Sequence, residues 1–341
     1  MNTKPVKNVY RGIINNREII LVDKENGGKA DGLNVGINYS KYPIFVAIDA
    51  DSVLESESIK KIVSPFMKNI NTVAVGGNIK ISNYITIKDG KVVKKDTPKN
   101  VIVAFQIVEY LRSFLSSRMT WDKMNMNLII SGAFGAFNKS VIIEMGGYQN
   151  NTIGEDMELV MRIHKKYLKS KKPYYIAYAP DAICYTQAPN SLQGLKTQRK
   201  RWQIGLIHSM SLHKNMFLNY KWFLAKAYFF LFEMVTPIVE LIGMITVPIT
   251  FLLGVINIDF LLLYFFLMFV YGFVISLTSI LLDTYAFKND INKKEMVILI
   301  LSSLFEPLGY RQIISLYRIY AFIGYKKNKH SWGSIKRTKN N

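Results

Sequence analysis

Up to about Tyr220 the chain alternates short, β-branched apolar runs with amphipathic stretches, the texture of an α/β domain with helices packed on a sheet. Ile44 to Ile48 (IFVAI) predicts a buried strand that emerges at Asp49-Ala50-Asp51. Ala30 to Ile37, following Gly27-Gly28, reads as the start of a helix. Leu159, Val160 and Ile163 recur at helical spacing behind Glu155-Asp156 and predict a second helix opening there. Beyond Trp222 the pattern changes. Tyr228 to Gly254 carries only Glu233 and Glu240 as charges, and Phe260 to Leu282 carries none. Each run meets the need of about 20 apolar residues for a membrane-spanning helix.

A third apolar segment starts at Met296 and is interrupted by Glu306-Pro307, Gly309 and Arg311. That leaves open an interfacial segment or a third span over about 296–325. The resulting division is an α/β domain over 1–205, an interfacial amphipathic helix over 206–222 (or simply the approach to the first span), and a membrane region over 223–325. Spans fall at about 228–254 and 260–282, and a basic tail covers 326–341. The linker Val255 to Asp259 has no basic residue, whereas Asp283 to Glu295 holds Lys288, Lys293 and Lys294. The positive-inside rule therefore predicts a multi-pass protein of the cell membrane with its large domain in the cytoplasm.

Composition agrees with this division. Hydrophobic residues make up 50% of the 341 positions and charged residues 20%, and the mean hydropathy is +0.12, too apolar for a disordered chain. The formal charge of +20, from 44 Lys+Arg against 24 Asp+Glu, follows from a basic cytoplasmic face and gives no separate reason to expect nucleic acid as a partner. Cys184 is the only cysteine, which excludes an internal disulfide or a Cys-rich zinc site and reads as a small buried apolar residue.

Five motifs carry candidate chemistry. Asp49 and Asp51 at a strand end can hold a hard divalent cation, although acidic pairs are equally at home in solvated turns. Gly27-Gly28-Lys29 permits close backbone approach and offers a positive charge to phosphate, or is an ordinary glycine turn. Ser131-Gly-Ala-Phe-Gly-Ala-Phe137 is small enough for a ligand to approach its backbone, or for tight packing. Glu155 and Asp156 in a first helical turn suit the helix dipole as well as catalysis. In QRKRW, 198–202, Arg201 can grip a diphosphate and Trp202 can stack on a sugar, but a basic surface or a membrane anchor would look the same.

Taken in order, GGKA, DAD, SGAFGAF, GED and QRKRW, followed by apolar helices, resemble the membrane-bound processive glycosyltransferases of family 2, relatives of cellulose, hyaluronan and poly-N-acetylglucosamine synthases. The resemblance implies a GT-A-type nucleotide-sugar transferase domain followed by α-helical membrane segments. It further implies that Asp51 binds Mg2+ or Mn2+ on the donor diphosphate with support from Asp49, and that Lys29 and Arg201 lie at the donor. Asp156 would be the general base, and Gln198, Trp202 and Glu155 would meet the acceptor. The implied donor is a nucleotide-diphosphate sugar, by preference UDP-N-acetylglucosamine. The implied acceptor is a growing polysaccharide exported through the membrane, or a lipid that receives a single sugar.

The resemblance also predicts strands ahead of GGKA that this sequence does not contain, so the catalytic domain is expected to be N-terminally incomplete, with unpaired sheet edges. The expectation is a split enzyme completed by a second polypeptide, or an inactive remnant. The sequence shows no basic motif of a cyclic-dinucleotide-binding domain, so control by such a nucleotide is not expected.

Overall fold

The computed structural model describes residues 1–218, 222–287 and 292–323. The basic tail at 326–341 lies outside these residues. A five-stranded mixed sheet organises the first 190 or so positions, in the strand order 44–48, 134–138, 72–81, 175–186 and 53–54; strands are numbered in chain order, β6 (Ile85–Lys88) and β7 (Lys91–Lys95) forming a separate hairpin. β3 (Ile44–Ile48) runs antiparallel to β8 (Phe134–Asn138), pairing Ile48 with Phe134 and Ile44 with Asn138. β8 is antiparallel to β5 (Thr72–Ile81). β5 is parallel to β9 (Tyr175–Thr186), whose far edge takes the two-residue β4 (Val53–Leu54). β5 is buried at every position, as the central strand of a sheet covered on both faces must be.

Two apolar layers cover that sheet. On one face α1 (Gly28–Tyr39), α5 (Lys139–Glu144) and α6 (Glu155–Ser170) contribute Ala30, Ile37, Ile142, Leu159 and Ile163, packed on Ala74, Phe137 and Ile176. On the other, α2 (Ser58–Lys68) and α3 (Val101–Tyr110) bring Ile62, Val103 and Tyr110 against Val75, Phe134, Ala136 and Cys184. Cys184 is fully buried, as its type predicts. Asn100 caps α3 by accepting from the N–H groups of Ile102 and Val103.

β1 (Val6–Ile14) and β2 (Arg17–Lys24) form a separate antiparallel hairpin, exposed along most of its length. Asn15 and Asn16 turn it with φ of 50° and 60°, the left-handed pair that a two-residue hairpin turn requires. Its base is tied to α1: the Lys4 N–H and the Lys24 ammonium both reach the Asp31 carboxylate. Among the described residues β3 has a neighbour in the five-stranded sheet on one side only.

A single helix, α7 (Leu192–Leu212), contains QRKRW and continues past it. Leu206, His208, Ser209 and Met210 are buried against the domain as the last turns of α7, and a short 3-10 turn, Lys214–Leu218, follows. Residues 219–221 lie outside the described region.

Among the described residues three helical segments are long and apolar enough to cross a membrane: Tyr228–Leu252, Ile258–Tyr285 and Lys293–Ile323. The third is broken at Leu308 (φ −98°, ψ 76°) and Gly309 (φ 108°, ψ −48°). This leaves α11 (Lys293–Phe305) and α12 (Arg311–Ile323), of 13 residues each and hence about 20 Å apiece. Its charged interruptions are sequestered. Glu306 is fully buried and accepts two bonds from Arg112, at 3.0 and 3.1 Å, and further bonds from Arg311. Removing one partner from such a buried group typically costs about 3–5 kcal/mol.

Candidate active site

The site is built where β3, the loop before β8 and the first turns of α1 and α6 converge. Lys29 is its hub. Its ammonium lies 2.6 Å from Asp49 Oδ1, 3.7 Å from Glu155 Oε1 and 3.3 Å from the Gly132 carbonyl oxygen. Burial works against the charge on Lys29, but the carboxylates of Asp49, Glu155 and Asp156 outweigh it and raise the pKa above the ordinary lysine value.

Gly132 explains why the 131–137 run is small. A Cβ there would sit 2.7 Å from Lys29 Nζ and 3.6 Å from Asp156 Oδ2. The Gly132 N–H donates to Asp156 Oδ2 at 3.1 Å, and the Met157 N–H donates to Oδ1 at 2.8 Å. Both carboxylate oxygens are therefore aimed by backbone donors. The neighbouring Glu155 is only 3% exposed. Burial and the adjacent Asp156 charge push its carboxyl up to about 7, with Lys29 and Arg201 pulling the other way. The two acids of GED thus sit in different environments, one buried and one partly open.

Asp49 and Asp51 stand at the carboxyl end of β3, both partly exposed, with the Asp49 N–H donating to the Ala133 carbonyl at 3.3 Å. Behind them burial pushes the Cys184 thiol up to about 12, with a smaller contribution from the Asp49 and Asp51 charges. This keeps the thiol protonated beneath the acidic turn.

α7 reaches this cluster through a contact between two glycines. A Cβ on Gly205 would lie 3.0 Å from Gly154 Cα, and one on Gly154 would lie 2.8 Å from Gly205 Cα. Thr152 bonds His208 at 3.0 Å on the same crossing. The approach sets the QRKRW turn beside the opening of α6, where the Arg201 charge acts on Glu155. Trp202 is 39% exposed. Its ring is backed by Tyr110 and Phe114, with centroids 6.2 and 6.4 Å away, and by the Arg199 guanidinium at 4.3 Å. Gln198 is buried on the same helix, next to Tyr110.

The structure therefore brings Lys29, Asp49, Glu155 and Asp156 into one contact network, with Arg201 electrostatically coupled to it. Gln198 and Trp202 occupy an adjoining aromatic wall, and Asp51 lies at the acidic turn. Sequence reasoning did not single out Gly205, Gly132's contact with the acid, or the wall residues Tyr110 and Phe114. The last two are four apart across the end of α3, a spacing that places both on one helical face.

Comparison with known proteins agrees with this architecture. The profile of the glycosyl transferase family group 2 matches residues 44–277. Poly-β-1,6-N-acetyl-D-glucosamine synthase from Staphylococcus aureus (strain COL) is 30% identical over 198 residues, 58% of this chain and 43% of that protein. The Staphylococcus epidermidis synthase is 30% identical over 191 residues, 56% of this chain and 42% of that protein. The chain thus spans less than half the length of these curated relatives. A mannosyltransferase from Pyrobaculum calidifontis, solved in complex with GDP-mannose and Mn2+, superposes with a TM-score of 0.50 at 15% identity. That superposition covers 90% of this chain and 69% of the other, and it shows a GT-A-like fold. Matched from β3 into the second membrane-capable helix, the chain belongs to the glycosyl transferase family group 2.

Proposed function

We propose that the chain carries the inverting transfer of a sugar from a nucleotide diphosphate, by preference UDP-N-acetylglucosamine, to the hydroxyl of a growing polysaccharide. The observation that carries this reading is the convergence of Lys29, Asp49, Glu155 and Asp156 beside the exposed ring of Trp202. The named polymer of the staphylococcal relatives supports the choice of sugar.

Mg2+ or Mn2+ fits the donor set. Among the described residues no three His, Cys, Asp or Glu side chains are grouped so as to hold a metal ion by themselves. Asp49 and Asp51 thus offer an oxygen-only pair that leaves positions for diphosphate and water, and a mannosyltransferase of similar fold was solved with Mn2+. Bound there, the ion would neutralise charge on the leaving diphosphate.

The chain's own residues do the rest. Lys29 and Arg201 place positive charge at the donor and the departing diphosphate. Asp156, its oxygens oriented by two N–H groups, takes the proton from the acceptor hydroxyl. That oxygen bonds to the anomeric carbon as the bond to the diphosphate breaks on the opposite face, inverting the centre. Trp202 stacks against the acceptor's terminal sugar, and Gln198 and Glu155 line the same side. The apolar helices hold the domain at the cytoplasmic face of a membrane as a multi-pass protein and let the polymer leave as it lengthens.

Vesicles containing the protein, given a panel of labelled nucleotide sugars, test this reading. Label from UDP-N-acetylglucosamine should accumulate in chains of increasing length. A single sugar on a lipid would support the single-transfer alternative instead. The open side of β3 supports one further reading, in which a second polypeptide adds a strand there. Turnover that appears only on adding such a polypeptide would establish it.

A further inference from the structure

We propose that Glu109 is a positioning residue for the acceptor sugar, fixing the Trp202 ring through Arg199 and tying it to Tyr310 at the break in the third membrane-capable helix. This rests on the reading of Trp202 as the acceptor platform.

The Arg199 guanidinium is only 2% exposed, yet its Nε and Nη1 have no hydrogen-bond partner among the described residues. It is held by the Trp202 ring at 4.3 Å, by Glu109 Oε2, which accepts from Nη2 at 2.7 Å, and by the Tyr310 hydroxyl beside it. The same Oε2 accepts from the Tyr310 hydroxyl at 2.9 Å. A buried cation with so few partners goes where its one carboxylate places it. Its planar face then sets the tilt of the ring stacked on it.

Tyr310 follows directly on Leu308 and Gly309, the two residues where the helix is broken, and its ring rests on Phe105 with centroids 5.1 Å apart. Glu109, next to Tyr110 on α3, therefore joins three elements: α7 with the indole, α3 with the aromatic wall, and the broken helix. Arg199 belongs to the basic run of QRKRW, but its burial and its single carboxylate make it a packing cation. Arg201 is the member of that run whose charge acts on Glu155.

The test uses the full chain in detergent and a short soluble oligosaccharide of N-acetylglucosamine. Its binding is followed by tryptophan fluorescence or calorimetry, with UDP binding measured in parallel. Trp202→Phe should weaken oligosaccharide binding about tenfold. Glu109→Gln should weaken it by a similar factor and leave UDP affinity within about twofold. In the Trp202→Phe background Glu109→Gln should add little, because it acts through the ring.

Should Glu109→Gln fail to fold, Tyr310→Phe keeps all charges, removes one of the two bonds at Oε2 and should weaken binding about threefold. A folded Glu109→Gln with unchanged oligosaccharide affinity overturns the proposal. So does an equal loss for UDP, or a full additional loss on top of Trp202→Phe. If Trp202→Phe itself binds normally, the platform reading falls, and the role of Glu109 falls with it.

Discussion

Replacing Gly205 by Ala probes the contact that brings QRKRW to the acids. Gly205 lies inside α7, where Ala favours the helix by about 1 kcal/mol. Its Cβ would approach Gly154 Cα to 3.0 Å and Gly154 N to 3.4 Å. Carbon atoms prefer a separation of roughly 3.5–4.0 Å, so the helices must part by about 0.5–1 Å. Overpacking of this kind costs about 1–3 kcal/mol, which leaves a net loss of about 0–2 kcal/mol after the helical gain. Catalysis is less forgiving, since a displacement near 1 Å between reacting groups can cost about 100-fold. The variant should therefore melt within a few degrees of the parent and transfer sugar about 100-fold more slowly. Gly36→Ala in α1 is the control: its Cβ would meet nothing within 4 Å, so it should match or exceed the parent in stability with full activity. Both are read by thermal unfolding in detergent and by initial rates with labelled nucleotide sugar. If Gly205→Ala behaves like Gly36→Ala in both assays, the crossing does not position the site.

Other perturbations separate the remaining groups. Gly132→Ala should push the Lys29 ammonium off its present position and weaken nucleotide-sugar binding several-fold, as measured by titration calorimetry. Glu155 holds its proton up to about 7 because it is buried beside Asp156, so the stability it contributes is full in acid and is lost as pH rises through about 7. Glu155→Gln should therefore melt higher than the parent above pH ~7 and show no such gain in the ordinary carboxylate range, as seen in melting curves across pH. Glu306→Ala leaves the partly buried Arg112 and Arg311 facing each other without their shared carboxylate and should cost about 3 kcal/mol in detergent unfolding, the lower end for a broken buried pair.

The order of elements around the site was legible where local pattern and chemistry coincide. The β-branched run Ile44–Ile48 is a strand, the glycines before Lys29 open a helix, and the helical spacing behind Asp156 starts α6. The hairpin's local signal is Asn15-Asn16, a pair that tolerates the left-handed turn. Contacts between distant segments were not legible. Glu109 meets Arg199 across 90 positions, and composition alone makes Arg199 one more member of a basic patch. Hydropathy counts Glu306 and Arg311 as breaks in an apolar segment, although with Arg112 they form one ion-paired cluster around the buried Glu306 carboxylate. After 205 an amphipathic composition alone does not show what the apolar side chains meet, and Leu206 and Met210 pack against Leu128, Met157 and Met161.

The most direct measurement is the rate of sugar transfer by Asp156→Asn alongside its affinity for UDP. The account predicts transfer reduced by about a thousandfold or more, with nucleotide affinity within about twofold, because the acid acts on the acceptor proton and the nucleotide is held elsewhere. Transfer at the parental rate by a folded Asp156→Asn would contradict it.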